Sequence, residues 1–448
     1  MSLVKLSGPA KQSKTRSDIL RALNEALKTA SPRSILRKKL KLQDEKLVID
    51  SFKLDLGSYD RLIVIGGGKA AASLADELEK LLGKRISAGL VNIPDYLRVP
   101  KKKRRIQFHR ATHPLPSVKG VRGVEAMLEI VGKPSEKDLI ICIITGGGSA
   151  LMPMPINGLR LSDEVVATRL LLKSGAPIEE INCVRKHLSG IKGGRLAEKL
   201  YPARVLALII SDVVGDRLDE IASGPTVPDP TTYGYAARIL KDHGIWKKLP
   251  RRVRDLFEEA KIDTPKPGSR IFNDVSNVLI GTNEQSCVVA MHSLKKLGYD
   301  ARILSTHVQG EASEVGKLYA SIIRDMKPST ALIAGGETTV AITGRAGKGG
   351  RNQELVLSAS IGIDSLEGAV IASMGTDGVD GPTDAAGAIA DWTSIQRANK
   401  KRLDARQLLR DHSSYKFFNE LGDLIITGPT GTNVNDITIL ARSSSNVS

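Results

Sequence analysis

Hydrophobic positions along the chain fall into short apolar runs that end in glycine or polar turns and lead into amphipathic segments. The runs at residues 61–65 and 138–145, for example, each pass through a glycine turn. Apolar runs of this length predict buried strands, and the longer amphipathic segments between them predict helices. The alternation of the two kinds of element predicts an α/β fold.

This pattern defines a set of elements in both halves of the chain. The predicted strands are residues 61–65, 89–93, 138–145, 205–210, 275–280, 301–304, 331–334, 338–343, 369–373 and 423–427. The predicted helices are residues 17–40 with a break at Pro32, 70–82, 118–131, 162–174, 178–200, 233–260, 284–297, 312–326 and 355–361.

A proline- and lysine-rich stretch at residues 261–269 interrupts the alternation and is typical of an interdomain passage. A chain of 448 residues is long enough for two or three domains. We therefore predict two α/β domains, residues 1–260 and residues 261–448, and assign the strand at 275–280 to the second.

The chain is basic, with 66 Lys and Arg against 49 Asp and Glu and a net charge of +17. Such a balance favours a polyanion, a membrane surface or anionic small substrates as partners. Nucleic-acid surfaces usually interleave cations with stacking aromatics, which make up only 4% of this chain. We therefore expect no nucleic-acid partner and interpret most basic clusters as solvated faces.

Cysteine usage and the amino terminus restrict the class of protein further. Cys142, Cys183 and Cys287 are far apart, which predicts neither a disulfide framework nor a zinc knuckle. The amino terminus is polar, and no apolar run approaches the ~18 residues of a membrane span. The sequence therefore predicts a cytoplasmic protein without a membrane partner.

Glycine turns follow two of the predicted strands in the first half. Gly66, Gly67 and Gly68 precede Lys69, and Gly146, Gly147 and Gly148 precede Ser149. In a doubly wound sheet such turns gather at the carboxyl ends of the strands, where ligands bind, and a lysine there can reach a phosphate. The pattern Gly66-x-Gly68-x-x-Ala71 also matches a dinucleotide fingerprint, but the strand at 89–93 ends without the expected ribose-binding acid.

A second glycine-rich stretch lies in the carboxyl-terminal half. Four glycines between residues 344 and 350 surround Arg345, Lys348 and Arg351, and Arg351 opens a predicted helix. Glycine backbone, three cations and a helix start together favour an anion site. The alternative interpretation is a flexible, solvated hairpin loop.

Acidic residues suggest where a metal ion could bind. Asp212 and Asp216 follow the strand at 205–210, and Asp377 lies in a glycine-rich loop after the strand at 369–373. Carboxylates just past buried strands hold Mg²⁺ or serve as turn caps, and both interpretations stay open. The pair His109 and His113 has the spacing of metal ligands on a helix, but the following prolines predict an extended segment instead.

The chain resembles a known family, the class II glycerate kinases, whose carboxyl-terminal half is called MOFRL. The residues that carry the likeness are GGGKAA at 66–71, HPLP at 113–116, TGGGSAL at 145–151, VRKHLSGIKGGRLA at 184–197, SDVVGD at 211–216, GTN at 281–283, GKGGRNQEL at 347–355, GTDGVDGPTDAAGA at 375–388 and TGTNVNDI at 430–437. They extend over nearly the whole chain in order.

This resemblance implies a Rossmann-like or flavodoxin-like parallel sheet in the first domain and a mixed sheet in the second, MOFRL domain. It also implies ATP-dependent phosphorylation of D-glycerate to 2-phosphoglycerate in a cleft between the domains, as part of central carbon metabolism. Lys69 and Arg351 match the positions usually proposed as active-site cations in that family. The cofactors implied are ATP and Mg²⁺, although no Walker A loop is present to place the nucleotide.

From the motifs and the resemblance together we predict three groups of site residues. The catalytic residues are Lys69 and Arg351, and the metal ligands are Asp212, Asp216 and Asp377. The residues that bind substrate or phosphate are Gly67, Gly68, Gly147, Gly148, Ser149, Arg185, Asn283, Lys348, Gly349 and Gly350. Most other cations of residues 178–200 are expected at the surface. The alternative function is an NAD(P)-dependent hydroxypyruvate reductase. The oligomeric state is left open, with a homodimer as one alternative.

Overall fold

A computed structural model describes residues 3–8, 13–50, 52–97, 99, 104–259, 263–342, 344 and 346–443. The predicted domain boundary between residues 260 and 261, and Arg345 of the second glycine-rich stretch, lie outside these ranges. The chain divides into two compact units, Ile35–Ile280 on the one hand and Met1–Ser34 with Gly281–Ser448 on the other. They are called the central unit and the terminal unit below.

The elements alternate along the chain much as the hydrophobic pattern predicts. The strands are β1 (Lys5–Leu6), β2 (Leu40–Gln43), β3 (Lys46–Ile49), β4 (Phe52–Asp55), β5 (Arg61–Gly67), β6 (Ala88–Pro94), β7 (Ile106–Ala111), β8 (Asp138–Ile144), β9 (Arg204–Ile210), β10 (Val275–Gly281), β11 (Asp300–Val308), β12 (Thr330–Gly336), β13 (Ala369–Gly375), β14 (Gly387–Asp391), β15 (Leu424–Ile426) and β16 (Asp436–Arg442). The helices are α1 (Lys14–Ala30), α2 (Pro32–Lys39), α3 (Ala71–Leu82), α4 (Val118–Val131), α5 (Gly148–Leu151), α6 (Leu161–Lys173), α7 (Ile178–Leu188), α8 (Arg195–Leu200), α9 (Tyr233–Asp242), α10 (Arg251–Glu259), α11 (Asn283–Lys296), α12 (Ala312–Asp325), α13 (Arg351–Gly362), α14 (Ser394–Lys400), α15 (Ala405–Arg410) and α16 (Ser414–Leu421).

The central unit is built on a six-stranded sheet in the order β10-β9-β8-β5-β6-β7. Strands β5 to β9 pair in parallel, which confirms the predicted Rossmann-like class. Every residue of β8 is buried, as expected for a parallel strand covered on both faces. The strand order reverses between β5 and β8, and ligands bind at such a switch point in doubly wound sheets. The glycines predicted to bind phosphate lie at the ends of these two strands, since Gly66 and Gly67 are the last residues of β5 and residues 146–148 come after β8.

The terminal unit contains a seven-stranded mixed sheet in the order β1-β15-β14-β13-β16-β12-β11. Only the β11–β12 pair is parallel among the pairs described, and the mixed sheet predicted for the carboxyl-terminal half is confirmed. The amino-terminal segment belongs here because α1 inserts Arg16, 1% exposed, between Asp391 and Asp423. A buried cation between two buried carboxylates ties the two ends of the chain together.

Several predicted elements differ from those observed. Residues 338–342 form no strand and make only one isolated bridge, from Thr339 to Glu311. The helix predicted at 178–200 is two helices, because a turn with two left-handed glycines, Gly193 and Gly194, separates α7 from α8. Strand β10 joins the central sheet beside β9, since its apolar pattern fits either sheet and only pairing decides between them. None of the described helices is long and apolar enough to cross a membrane.

Candidate functional site

Two glycine turns meet at the switch point of the central sheet. A β-carbon at Gly66 would lie 2.0 Å from the carbonyl oxygen of Ile143, and one at Gly68 would lie 2.0 Å from Oγ1 of Thr145. Both glycines also have positive φ, at 135° and 139°. They are therefore required for packing β5 against β8, which explains the fingerprint-like spacing without a dinucleotide.

Lys69 lies beside the second turn. Its backbone N–H donates to the carbonyl of Gly146 at 2.8 Å. A β-carbon at Gly147 would lie 3.3 Å from Cγ of Lys69 and 2.8 Å from Nε2 of His113. The missing side chain of Gly147 thus makes room for two groups that can bear charge, and Gly147 itself takes a left-handed φ of 77°.

Asp212 approaches the same turn from β9. A β-carbon at Gly146 would lie 2.3 Å from Oδ2 of Asp212, so this carboxylate lies directly against the turn. Asp216 follows in a tight turn closed by its N–H to the carbonyl of Val213 at 3.1 Å. Lys69 and Asp212 therefore both border Gly146–Gly147, and the strand ends bring these predicted site residues together.

Ser149 and Arg185 form the next contact of the site. One guanidinium nitrogen of Arg185 donates to Oγ of Ser149 at 2.5 Å, and Ser223 contacts the same hydroxyl at 3.3 Å. Gly148 is close-packed, since a β-carbon there would lie 3.0 Å from Cβ of Ala222. The structure thus places a hydroxyl and a guanidinium just beyond the Gly146–Gly147 turn.

Most cations of residues 178–200 are buried or half-buried, which contradicts the prediction that they lie at the surface. Lys186 is 3% exposed and pairs with Asp219 at 3.2 Å and Asp229 at 3.5 Å. Lys192 is 4% exposed, and its burial together with the charge of Arg185 lowers its pKa to about 7. The amphipathic pattern missed this because α7 and α8 pack their polar sides against acidic loops of the same unit.

Arg351, in the terminal unit, is the first residue of α13, as predicted. Its Nε and one terminal nitrogen donate to the carboxylate of Asp436 at 2.6 and 2.9 Å, and its other terminal nitrogen lies 2.8 Å from Glu337. These carboxylates raise the pKa of the Arg351 guanidinium despite the opposing effect of its burial. The carboxylate of Asp436 therefore already occupies two N–H groups of Arg351.

The glycines before α13 pack against the protein itself. A β-carbon at Gly349 would lie 2.4 Å from Oγ of Ser414, and one at Gly350 would lie 2.3 Å from Cγ of Asp380. Lys348 lies over the ring of Tyr415, with its ammonium 3.9 Å from the ring centre.

The amino terminus of α13 already holds an anion. The carboxylate of Asp380 accepts hydrogen bonds from the N–H groups of Asn352 at 3.0 Å and Gln353 at 2.9 Å. Asp380 is 1% exposed, and its burial raises its pKa to about 6 in spite of those bonds. The helix start therefore attracts an anion as expected from its dipole, but the anion is a side chain.

Asn283 and Asp377 lie close to the partners of Arg351. The amide nitrogen of Asn283 donates to the carbonyls of Val434 and Asp436 at 2.8 and 2.9 Å. Oδ1 of Asp377 accepts from the N–H of Val379 at 3.1 Å, which is a turn-capping contact. Within the described part of the chain, no three His, Cys, Asp or Glu side chains form a group that could hold a metal ion.

Sequence reasoning missed several of these side chains. The spacing of His109 and His113 suggests only a metal ligand, whereas His113 lies against Gly147 beside Lys69. Asp436 could not be recognised as a partner of Arg351 because the two are 85 residues apart in sequence. Glu337 lies nearer in sequence, but no motif indicates that it pairs with Arg351. The family motifs do include two of these residues. His113 belongs to HPLP at 113–116, and Asp436 belongs to TGTNVNDI at 430–437.

The chain is similar to known proteins over most of its length. The profile of a family described as a domain of unknown function, DUF4147, matches residues 18–258, and that of the MOFRL family matches residues 330–436. A glycerate 2-kinase of Pyrococcus horikoshii is 41% identical, over 94% of this chain and 96% of its own. A crystal structure of glycerate kinase from Thermotoga maritima superposes with a TM-score of 0.84 at 38% identity, covering 95% of this chain and 99% of that one. A protein of Agrobacterium vitis named putative hydroxypyruvate reductase is 39% identical, over 84% of this chain and 98% of its own.

Proposed function

The chain belongs to the MOFRL family of glycerate kinases, and from that membership we propose that it phosphorylates D-glycerate with ATP to give 2-phosphoglycerate. In this proposal Lys69 of the central unit and Arg351 of the terminal unit both contribute to the reaction. The name glycerate 2-kinase of the Pyrococcus relative supports the 2-hydroxyl as acceptor.

One observation carries the proposal most directly. Lys69 and Asp212 both border the Gly146–Gly147 turn at the switch point of the central sheet. This arrangement suits a phosphate chain with its metal ion. The glycine backbone would let the phosphates approach closely, the lysine would contact phosphate oxygens, and the carboxylate would bind the metal ion.

The chemistry needs positioned charge more than covalent participation. The 2-hydroxyl oxygen attacks the terminal phosphorus of ATP and releases its proton to water, the bond from that phosphorus to the bridging oxygen breaks, and ADP leaves. Charge spreads over the oxygens of the transferring group, and Lys69 stabilises it there as a compact point charge. Just beyond the turn, a guanidinium nitrogen of Arg185 lies 2.5 Å from Oγ of Ser149, and both side chains can donate hydrogen bonds to an anion.

Arg351 acts through its carboxylate partners in this proposal. Because Asp436 and Glu337 occupy three of its N–H groups, it positions those carboxylates and adds positive charge near the substrate. Arg351 could bind the glycerate carboxylate directly only through the N–H groups that Asp436 and Glu337 do not occupy.

The acidic residues present fit Mg²⁺. This ion usually keeps several waters and takes one or two protein carboxylates together with substrate phosphates, so a group of three acids is not needed. Asp212, whose carboxylate lies against Gly146, would hold it with Asp216. When bound, Mg²⁺ would neutralise part of the charge of the phosphates.

The alternative of an NAD(P)-dependent reductase is suggested by the dinucleotide-like spacing of Gly66 and Gly68, but the geometry there does not support it. Gly66 and Gly68, the glycines of the fingerprint, are explained by their close contacts with Ile143 and Thr145. No second function is therefore proposed.

The test is to incubate the purified protein with D-glycerate, ATP and Mg²⁺, and separately with hydroxypyruvate and NAD(P)H. We expect ADP release and a phosphorus NMR signal of 2-phosphoglycerate that enolase consumes directly. Exclusive formation of 3-phosphoglycerate would refute the regiochemistry, and nucleotide oxidation without ADP release would refute the kinase.

A further inference from the structure

A cavity of about 320 Å³ lies in the central unit next to Ser149 and Arg185. Its polar end also includes Glu164 and Lys192. Most of the remaining wall is apolar, with Leu115, Val165 and Leu172 among its side chains. This volume is within the range of small-molecule sites in proteins.

Glu164 indicates that the cavity is built for a ligand. Its side chain is 8% exposed, and its Oε1 makes no hydrogen bond with any described residue. Burial raises the pKa of Glu164, while the charges of Lys192 and Arg185 act in the opposite direction. A buried acceptor without a donor is costly, and an N–H or O–H group of a ligand in the cavity would satisfy it.

The character of the wall selects among the ligands of the reaction. Glycerate carries oxygen on each of its three carbons. It therefore has no apolar surface with which the apolar side chains of the wall could pack. A nucleoside has flat apolar faces, which suit such a wall, and N–H and O–H donors at its edges. The two cations and the Ser149 hydroxyl at the polar end suit the phosphates attached to it.

The position of the cavity fits the same ligand. Ser149 lines the cavity and follows Gly147 by two residues, and Gly147 is the glycine that neighbours Lys69. A phosphate chain starting at the cavity would therefore run along this turn towards Lys69.

We propose that this cavity binds the nucleoside end of ATP, with Glu164 accepting a hydrogen bond from the base or ribose and with Arg185 and Lys192 facing the phosphates. The inference rests on the proposed function only in taking ATP as the phosphoryl donor. It assigns the nucleotide to the central unit and adds Glu164 and Lys192 to the site.

The experiment fills the cavity and measures the affinity for nucleotide without turnover. Val165→Phe places a larger side chain in the wall, and Val166→Phe, at the exposed neighbouring position of α6, is the matched control. Binding of ADP and of D-glycerate to the full chain is measured by calorimetry, followed by the KM of each substrate. We expect Val165→Phe to weaken ADP binding and to raise the KM for ATP by about tenfold or more. D-Glycerate and the control should stay within about twofold of wild type.

A second variant protects the test against misfolding. Leu172 lines the cavity yet is 61% exposed, so Leu172→Ala should fold normally and weaken ADP binding by about threefold or more. Unchanged ADP affinity in a folded Val165→Phe or Leu172→Ala protein, or an effect on D-glycerate instead, would overturn the assignment. Absence of kinase activity in the wild type would refute the proposed function separately, because ADP binding is measured without it.

Discussion

Two glycine-rich segments that look alike in sequence have different surroundings in the two units. At the Gly146–Gly147 turn of the central unit, the space left by missing side chains is bordered by Lys69, His113 and Asp212. Before α13 of the terminal unit, the equivalent space at Gly349 is bordered by a neutral hydroxyl, that of Ser414. Glycine in a sequence therefore predicts close approach, and only the fold decides which groups approach.

The same contrast extends to the charges around the two segments. Asp380 already occupies the amino terminus of α13, and Asp436 already pairs with Arg351. In the central unit, Arg185 contacts only hydroxyl and amide oxygens among its described hydrogen bonds, and Glu164 keeps an unsatisfied oxygen. Internal pairing indicates that Asp380 has a structural role, whereas the unsatisfied buried carboxylate of Glu164 beside a cavity indicates binding.

The largest effect is expected at Lys69. Lys69→Ala should lower kcat by roughly 10²-fold or more, because the contact strengthens as charge develops on the transferring phosphoryl group. Steady-state kinetics on a protein with wild-type thermal stability provide the measurement, with Lys84→Ala at an exposed position as the control. Near-wild-type turnover of folded Lys69→Ala would remove this lysine from the mechanism.

A large effect on stability is expected at Asp380, through pH. Its folded pKa of about 6 lies above its ordinary 3.8, so the unfolded chain ionises first as pH rises. The group therefore contributes stability that is fully present below the ordinary value and is lost as pH rises through about 6. This loss is on the order of 3 kcal/mol.

Urea unfolding between pH 4 and 7 measures this dependence. Asp380→Asn removes the titrating group and should flatten the fall in unfolding free energy over that interval, although it also weakens the cap of α13. Glu367→Gln, at an exposed position, should leave the slope unchanged. An identical slope in wild type and Asp380→Asn would contradict the assignment.

A smaller effect is expected at Arg351. Arg351→Ala should lower kcat by about tenfold and raise the KM for glycerate, because Asp436 and Glu337 lose the cation that orients them. It should also lower the melting temperature, since Asp436 is only 6% exposed and would keep an unpaired charge. Arg351→Lys should restore little, because one ammonium cannot make two parallel hydrogen bonds. An unchanged KM for glycerate would exclude a role near that substrate.

The smallest effects are expected at the acidic residues. Asp212→Ala should raise the Mg²⁺ concentration for half-maximal activity by about threefold or more, with Asp216→Ala and Asp377→Ala tested in the same titration. If none of the three variants changes the metal dependence, their role is that of turn caps, for which the contact between Asp377 and Val379 is the existing example.

Much of the fold was predictable from the sequence because its signal is local. Continuous apolar runs such as residues 139–144 predict covered strands, and β8 is buried throughout. Pairing between distant strands is not local. Strand β10 was therefore assigned to the wrong sheet, and β16, the central partner of β12 and β13, was missed because it follows a polar turn.

The candidate site was predictable in part for the same reason. Lys69 and Ser149 follow glycine turns that the chain pattern reveals, and Arg185 came from a family motif. Glu164 and Lys192 could not be recognised, since they lie on amphipathic segments where charges ordinarily face water. They are buried because α6 packs against α7, and this contact cannot be predicted from the sequence of either segment alone.

The central claim is that the Gly146–Gly147 turn serves the chemistry and the loop before α13 serves packing. It is tested most directly by measuring kcat per folded molecule and melting temperature for Gly147→Ala and Gly349→Ala side by side. The new β-carbon in Gly147→Ala meets His113 and Lys69, so kcat should fall by about tenfold or more, with the modest loss of stability of a left-handed alanine. In Gly349→Ala it meets Ser414, so the melting temperature should fall while kcat per folded molecule stays within about twofold. Equal losses of kcat in both variants, or a loss confined to Gly349→Ala, would contradict the account.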